Sequence, residues 1–238
     1  MKLITQFPIA YDSPDHIHPW GTAADNHTNT PLIEAVEKHF DGRKISFMDV
    51  GCSGGQFAVD FSKRGHRSVG LEGSDYSVIH RRANWPEYHN KVLFTCDASK
   101  PYEVQDDDGN RIIFDCISSW ECIEHIHPDG LDQFFLNVAN HMNDKSIFFG
   151  SICLNADDVH SGGVQLHQAL LSMEQWTYEI LPKYFKSVPN VPPMPPVNGV
   201  DQSLGFYYMF DVEKENVRWG GPVLSPTVGS IYFSAMLK

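Results

Sequence analysis

The stretch FMDVGCSGGQFAVDF (residues 47–61) joins two apolar segments through a loop that contains three glycines, Gly51, Gly54 and Gly55. Glycine lets a strand turn sharply and lets the backbone come close to a ligand, because no side chain intervenes. The dinucleotide fingerprint G-x-G-x-x-G is not met, since a serine and a glutamine stand at its second and third glycine positions. Asp49, two residues before the turn, would repel a pyrophosphate but could hold an ammonium or stand near a sulfonium. The loop therefore predicts a site for a ligand that carries a cation.

Alternating strands and helices have to position this loop. Nearly continuous apolar runs predict buried strands at 45–50, 67–72, 91–96, 112–119 and 146–153. Helical spacing of apolar residues predicts helices at 56–63, 76–85 and 128–142, and the last of these follows a proline suited to a first turn. The alternation predicts a parallel sheet with helices on both faces. In such sheets, ligands bind beyond the carboxyl ends of the strands.

The N-terminal part is predicted to differ from this alternating core. Residues 1–30 have the composition of an irregular segment, and a helix is predicted to begin at Thr30. We therefore divide the chain into an N-terminal segment of residues 1–44 and a domain of residues 45–238. The polar residues around Trp20 could either fold over a bound ligand as a lid or dock on the outside of the domain.

The C-terminal part contains one more predicted helix and two more predicted strands. Ser172 and Gln175 form a capping-box pattern that opens a helix, which Pro182 should stop or kink. The segment that follows, residues 188–199, is dense in proline and is predicted to be extended. Two further strands are predicted at 204–212 and 230–238.

Charge and composition limit the classes of function. The chain has 238 residues, 18 Lys and Arg against 30 Asp and Glu, and a formal net charge of −12. This charge argues against a nucleic-acid partner and favours a small neutral or cationic ligand. The five cysteines show no CxxC pair, which favours a reducing compartment. No apolar run is long enough for a signal peptide or a membrane span, so we expect a cytoplasmic protein without a membrane partner.

The segment DVGCSGGQF resembles the first motif of the class I S-adenosylmethionine-dependent methyltransferases, an acidic residue followed by alternate glycines. Asp49, Gly51 and Gly55 match this motif, and Ser53 replaces its middle glycine. The resemblance covers roughly residues 45–153. It implies an α/β fold with a Rossmann-like, doubly wound sheet of seven strands. This sheet would be mostly parallel, with an antiparallel last strand next to the fifth. It also implies S-adenosyl-L-methionine as the cofactor.

The resemblance further implies which residues bind the cofactor. Glu72 ends the predicted strand 67–72, and an acid about 20 residues after the first glycine can bind the ribose hydroxyls of a nucleoside. Asp97 would read the adenine edge, although an aspartate that caps a turn is a strong alternative. Trp120 would border the methionine moiety or lie in the core. The implied set is Asp49, Gly51, Ser53, Gly55, Glu72, Gly73, Asp97, Ala98, Trp120 and Glu121.

Methyl transfer from a sulfonium is an in-line displacement, and an oxygen or nitrogen acceptor often gives up a proton to a nearby base. The candidate bases follow the fourth predicted strand of the domain. We assign catalysis to His125 and Glu124, with O-methylation of a small-molecule acceptor as the predicted reaction. The alternative is that the Glu124-His125 pair only shapes its loop. Further candidates are Glu121, His127 and His167.

The pattern Glu121-x-x-Glu124-His125 also resembles the metal-binding E-x-x-E-H motif of small-RNA 3′-terminal 2′-O-methyltransferases. In that case His167 would be the fourth ligand, and two carboxylates with two imidazoles would suit a divalent transition metal. The net charge of −12 argues against an RNA substrate, and metabolite O-methyltransferases contain similar segments without needing such a site. We therefore treat the metal as an open alternative that is not favoured.

Two other classes of function remain open at this point. A nicotinamide-dependent oxidoreductase would use a similar sheet and a similar acid at Glu72, but the missing dinucleotide fingerprint argues against it. A non-catalytic domain that binds the cofactor or a partner protein is the second alternative, since a fold does not by itself imply a function.

Overall fold

A seven-stranded sheet lies at the centre of the protein, as a computed structural model shows. The structure describes residues 1–157, 161–187, 210–211, 218–219 and 230–237. The strands are β1 (Lys2–Thr5), β2 (Ser46–Val50), β3 (Arg67–Glu72), β4 (Leu93–Thr95), β5 (Tyr102–Gln105), β6 (Cys116–Trp120), β7 (Ile147–Cys153), β8 (Phe185–Ser187), β9 (Phe210–Asp211), β10 (Arg218–Trp219) and β11 (Ser230–Leu237).

The helices are distributed along the whole described chain. They are α1 (Pro14–Ile17), α2 (Trp20–Ala24), α3 (Thr30–His39), α4 (Gln56–Lys63), α5 (Tyr76–Ile79), α6 (Trp85–Tyr88), α7 (Pro128–Asn140) and α8 (Leu181–Tyr184). A 3₁₀ turn covers Ile123–His125, and a π-helical turn covers Gln175–Ile180.

The order of the strands in the sheet is β4-β3-β2-β6-β7-β11-β8. The neighbours from β4 to β7 are all parallel, whereas β11 runs antiparallel to both β7 and β8. The predicted Rossmann-like sheet, mostly parallel with an antiparallel last strand beside the fifth, is confirmed. Two small antiparallel pairs, β1 with β5 and β10 with β9, lie outside this sheet.

Successive side chains of the central strands point to opposite faces, and each face is covered by helices. Phe47 packs with α3 and α4, while its neighbour Met48 belongs to a second apolar cluster that contains α7. All seven residues of β7 are buried. Burial on both faces explains why the central strands are almost continuously apolar in the sequence.

Several predicted elements differ from those observed. The helix predicted at 76–85 is two short helices, α5 and α6, and residues 1–30 contain β1, α1 and α2 instead of being irregular. The strand β5 was not predicted, because its segment is polar on one side and pairs only with β1. The extended segment predicted at 188–199 lies outside the described residues, and so does most of the strand predicted at 204–212.

The predicted capping box is present. The Ser172 N–H donates to Oε1 of Gln175, and the Gln175 N–H donates to the Ser172 hydroxyl. The sequence predicts that Pro182 stops or kinks the helix, and the structure shows that it does not stop it. It lies in the first turn of α8, behind the π-helical turn. A widened turn fits before a proline, because proline has no N–H for the ordinary helical hydrogen bond.

All five cysteines lie within the described residues, and none forms a disulfide. No helix among the described residues has both the length and the apolar character needed to cross a bilayer.

Candidate active site

The glycine-rich loop after β2 depends on backbone conformations that favour glycine. Gly51 and Gly55 both have φ of +82°, and Ser53 between them has φ of +47°. A Cβ atom on Gly51 would lie 2.4 Å from Sγ of Cys122, and one on Gly55 would lie 2.5 Å from Cδ1 of Leu93. Gly55 is therefore needed for its φ angle and for packing against the core. The close approach of a ligand to this residue stays a prediction.

Glu72, at the end of β3, holds this loop in place. Its Oε2 accepts the Ser53 N–H at 2.7 Å, and its Oε1 accepts the Ser74 N–H at 3.1 Å and the Thr22 hydroxyl at 3.3 Å. Burial raises the pKa of Glu72, although these donors act in the opposite direction. A carboxylate has room for about four hydrogen bonds, so the side chain can accept one more donor.

Asp49 lies below the loop and is almost completely buried. Its Oδ1 accepts the Ser118 hydroxyl at 2.6 Å. Burial raises the pKa of Asp49 to about 7, against the lowering effect of Ser118. Asp49 thus supports the loop from inside the sheet.

A cavity of about 420 Å³ opens at the carboxyl ends of β3, β4 and β6. This is the edge of a parallel sheet at which ligands bind. Six of the predicted site residues line the cavity, namely Gly51, Glu72, Gly73, Asp97, Ala98 and His125. The structure thus brings together residues that lie up to 74 positions apart in the sequence.

The further candidate base His127 also lines this cavity, whereas the other predicted site residues do not. Asp49 and Gly55 are buried beneath or behind the loop, and Ser53 faces the N-terminal segment. Trp120 is partly buried and packs edge-on against Phe149, beside a core cluster, which is close to the alternative interpretation for this residue. Glu121 and Glu124 are also absent from the cavity wall. The cofactor and catalytic roles assigned to these residues stay predictions.

Asp97 forms a turn at the cavity wall. Its Oδ1 accepts the Ser99 N–H at 2.9 Å and the Ser99 hydroxyl at 2.6 Å, and its own N–H donates to the Phe7 carbonyl at 3.0 Å. The side chain therefore caps a turn, as the alternative interpretation predicts, and it also lies in the cavity wall. Its role in reading the adenine edge stays a prediction.

Glu124 ties the 3₁₀ turn after β6 to the loops behind it. Its Oε1 accepts the Cys153 N–H at 2.9 Å, and its carbonyl accepts the N–H groups of Gln168 and Ala169. The side chain is completely buried, and Oε2 has no hydrogen-bond partner within the described part of the chain. Burial raises the pKa of Glu124 well above its usual range, with the charge of Glu121 adding to this effect.

A cluster of potential metal ligands surrounds Glu124. Its carboxylate, Sγ of Cys153 and a ring nitrogen of His167 all lie within 4.8 Å of one another. His167 therefore points towards Glu124, as the metal hypothesis requires, and Nδ1 of His167 contacts the Asn155 carbonyl at 2.5 Å. The His125 ring packs edge-on against His167 with centroids 4.5 Å apart. Glu121 is exposed, and the divalent metal stays a prediction.

His125 lies where this cluster meets the cavity. The Asp15 carboxylate of α1 lies 2.5 Å from Nδ1 of His125. Burial lowers the pKa of His125, but the Asp15 carboxylate outweighs this effect, so the net shift is upward. Asp15 was not predicted as a site residue, because nothing in the sequence indicates that this part of the chain reaches His125.

Residues 21–26 cover the glycine-rich loop. The Ser53 hydroxyl donates to the Asp25 carbonyl at 2.9 Å, and Oδ1 of Asn26 accepts the Gln56 N–H at the start of α4 at 3.1 Å. Gly55 has no side chain to cap α4, so Asn26 supplies the cap from a distant part of the chain. Trp20 is 49% exposed and does not cover the cavity.

The cavity wall is strongly acidic. The wall contains one lysine, Lys100, and five carboxylates, which belong to Asp12, Asp15, Glu72, Asp97 and Asp129. An acidic concave surface raises the local concentration of cations and disfavours anions. The charge of the wall therefore agrees with the cation-bearing ligand that the sequence predicts.

Comparison with known proteins identifies the family. The sequence matches the family described as "Methyltransferase domain" over residues 25–189. Two curated relatives, the ubiquinone biosynthesis O-methyltransferases of Rickettsia felis and Rickettsia canadensis, are 27% and 24% identical over 117 residues. These matches cover 49% of this chain and 45% and 46% of the two relatives, so the chain spans about half the length of the curated relatives it matches.

Solved structures of low sequence identity share the fold. A TehB-like SAM-dependent methyltransferase from Corynebacterium glutamicum is 11% identical, with a TM-score of 0.53 and coverage of 92% of this chain and 93% of that one. A 1,6-didemethyltoxoflavin-N1-methyltransferase from Burkholderia thailandensis is 15% identical, with a TM-score of 0.53 and coverage of 94% and 84%. With a family match over more than half of its length, the chain belongs to the methyltransferase domain family, as its glycine-rich motif predicts.

Proposed function

We propose that this protein transfers a methyl group from S-adenosyl-L-methionine to an oxygen atom of a small-molecule acceptor. The observation that carries the proposal is the acidic cavity at the carboxyl ends of the strands, with Glu72 and Asp97 in its wall. The family match supports methyl transfer and argues against the nicotinamide-dependent oxidoreductase.

The cofactor fits the charge and the hydrogen-bonding capacity of the cavity. S-adenosyl-L-methionine carries a sulfonium and an ammonium, and both are favoured by a wall with five carboxylates and one lysine. Glu72 has room for one further donor, which a ribose hydroxyl supplies. Asp97 and Ala98, on the loop after β4, would then lie beside the adenine.

Oxygen as the acceptor atom is supported by the curated relatives, which are named as O-methyltransferases. The net charge of −12 and the acidic wall both disfavour a nucleic-acid substrate.

The reaction needs alignment and a proton acceptor. In the transfer, the bond between the methyl carbon and the sulfonium sulfur breaks as a bond from the acceptor oxygen to this carbon forms. The sulfur leaves as a neutral thioether. In this proposal His125, which lies in the cavity wall, takes the proton from the hydroxyl group of the methyl acceptor. Nδ1 of His125 faces Asp15, so Nε2 is the nitrogen left to take the proton. Glu124 contributes by fixing the turn that carries His125, through its bond to the Cys153 N–H.

Two measurements test this proposal. Isothermal calorimetry should show binding of S-adenosyl-L-methionine and of its demethylated product, S-adenosylhomocysteine, but not of NAD. Mass spectrometry of a panel of phenols and catechols incubated with protein and cofactor should then show products heavier by one CH₂ unit. Binding without turnover on any acceptor would support the non-catalytic alternative, and absence of binding at millimolar concentration would refute the proposal itself.

A further inference from the structure

Helix α1 forms one wall of the cavity. Ser13, Pro14, Asp15 and His16 all line it, opposite the loops that follow β3, β4 and β6. The segment before α1 is attached to two of these loops. The Ala10 N–H donates to the Gly73 carbonyl at 2.9 Å, and the Asp97 N–H donates to the Phe7 carbonyl at 3.0 Å. The N-terminal segment is therefore part of the site and is not a tail on the outer surface.

Within this wall, Asp15 makes a specific contact with the proposed proton acceptor. Its Oδ2 lies 2.5 Å from Nδ1 of His125, and the two side chains are 26% and 22% exposed. Nδ1 is buried, has no hydrogen-bond partner among the described residues, and is not in hydrogen-bond geometry with Asp15. At 2.5 Å the lone pairs of a carboxylate oxygen and an unprotonated ring nitrogen would repel each other, so the contact favours a proton on Nδ1. A small rotation of either side chain would complete a charge-assisted hydrogen bond.

The other surroundings of His125 do not fix its ring in this way. The ring of His167 packs against it edge-on, which restricts its tilt but does not select which nitrogen carries the proton. The neighbouring Glu124 uses Oε1 for the Cys153 N–H and holds the backbone of the turn. Asp15 is therefore the carboxylate placed to select the tautomer of His125.

We propose that Asp15 is a positioning residue that holds His125 with its proton on Nδ1, so that the N-terminal helix completes the active site. This inference rests on the proposed function, since it gives Nε2 of His125 its role as proton acceptor. A carboxylate behind a histidine base orients the ring and selects the tautomer without itself taking the proton.

A kinetic double-mutant cycle tests the inference. General-base catalysis contributes ~10²–10⁴-fold, so Asp15→Asn should lower kcat by roughly 10–100-fold and Asp15→Glu should restore part of the loss. His125→Ala should lower kcat at least as much, and Asp15→Asn should cause no further loss in the His125→Ala background. The acceptor KM and the affinity for S-adenosylhomocysteine should change less than about threefold.

A matched control removes a carboxylate from the same N-terminal segment at an exposed position away from the cavity. Glu34→Gln, in α3, should leave kcat unchanged, since its only described ion pair is a 3.5 Å contact with Arg64 at the surface. Two results would overturn the inference. One is a double variant whose loss of kcat equals the product of the losses in Asp15→Asn and His125→Ala, which would mean that the two residues act independently. The other is a loss confined to KM and cofactor affinity, which would mean that α1 only closes the cavity.

A spectroscopic readout keeps this inference separate from the proposed function. In protein labelled with ¹⁵N-histidine, the His125 signals are assigned by their absence in His125→Ala. They should show the proton on Nδ1 in the wild type and a change of tautomer in Asp15→Asn. Failure to find turnover on any acceptor would count against the proposed function alone. An unchanged His125 spectrum in Asp15→Asn would refute the role of Asp15.

Discussion

Replacement of Glu72 by glutamine removes one charge and one acceptor from the point where the glycine-rich loop, the N-terminal segment and the cavity meet. The carboxylate accepts the N–H groups of Ser53 and Ser74 and the hydroxyl of Thr22. Glutamine retains one acceptor oxygen but turns an NH₂ group towards one of these donors. The variant should therefore lose both stability and cofactor affinity, and the two losses can be measured separately.

The sizes of both losses follow from the geometry. A buried donor left without its acceptor costs about 1–3 kcal/mol. For a chain of this length, each kcal/mol lowers the unfolding temperature by about 2–4 °C. A hydrogen bond to a charged group contributes about 1.5–3 kcal/mol, so loss of the carboxylate's bond to a ribose hydroxyl should weaken binding by roughly 10–150-fold.

The assay is calorimetric titration with S-adenosylhomocysteine, at a temperature at which circular dichroism shows the variant to be folded. Glu87→Gln is a matched control, since Glu87 is an exposed glutamate in α6 with no part in the cavity wall. The control should bind like the wild type. A folded Glu72→Gln variant with an unchanged dissociation constant would refute our reasoning, because the ribose would then have to be bound elsewhere.

Three further predictions concern stability and metal dependence. Gly55→Ala should lower the unfolding temperature measurably, because it combines a positive φ with a clash against Leu93, and normal stability would contradict this account of the turn. Burial raises the pKa of Asp49 to about 7, so its contribution to stability is complete near pH 4 and is lost as the pH rises through 7. In urea unfolding between pH 4 and 8, the free energy of unfolding of Asp49→Asn should fall less with rising pH than that of the wild type. Parallel curves of this free energy against pH would refute the prediction. Exhaustive chelation should leave turnover unchanged, because the proposed mechanism uses His125, and not a metal, to take the proton of the acceptor. Loss of turnover that zinc restores would instead establish a metal at Glu124, Cys153 and His167.

The sequence by itself was enough to predict the central sheet and two of the helices that cover it. The predicted and observed bounds agree to within two residues for the strands β2, β3 and β7 and the helices α4 and α7. For the strands, the reason is that burial on both faces of a parallel sheet makes nearly every residue apolar. The glycine-rich loop is recognisable for a related reason. Its φ angles of +82° at Gly51 and Gly55 exclude most side chains.

Predictions from the sequence were less complete where a side chain's role depends on distant parts of the chain. Motif positions correctly indicated that Glu72, Asp97 and His125 lie near one another. They did not decide between the two interpretations of Trp120, and they did not indicate that Glu124 lies outside the cavity. A motif records the order of residues along the chain, whereas the direction in which each side chain points depends on what packs against it.

Only the tertiary structure showed that the N-terminal segment belongs to the site. Thr22 reaches Glu72, Asn26 caps α4, and Asp15 faces His125 across 110 positions of sequence. None of these residues has an apolar period or a spacing that would mark it, because their partners are polar and far away in the chain. Such contacts depend on how the strand and helices of the N-terminal segment pack against the rest of the molecule, and that packing is a property of the folded chain as a whole.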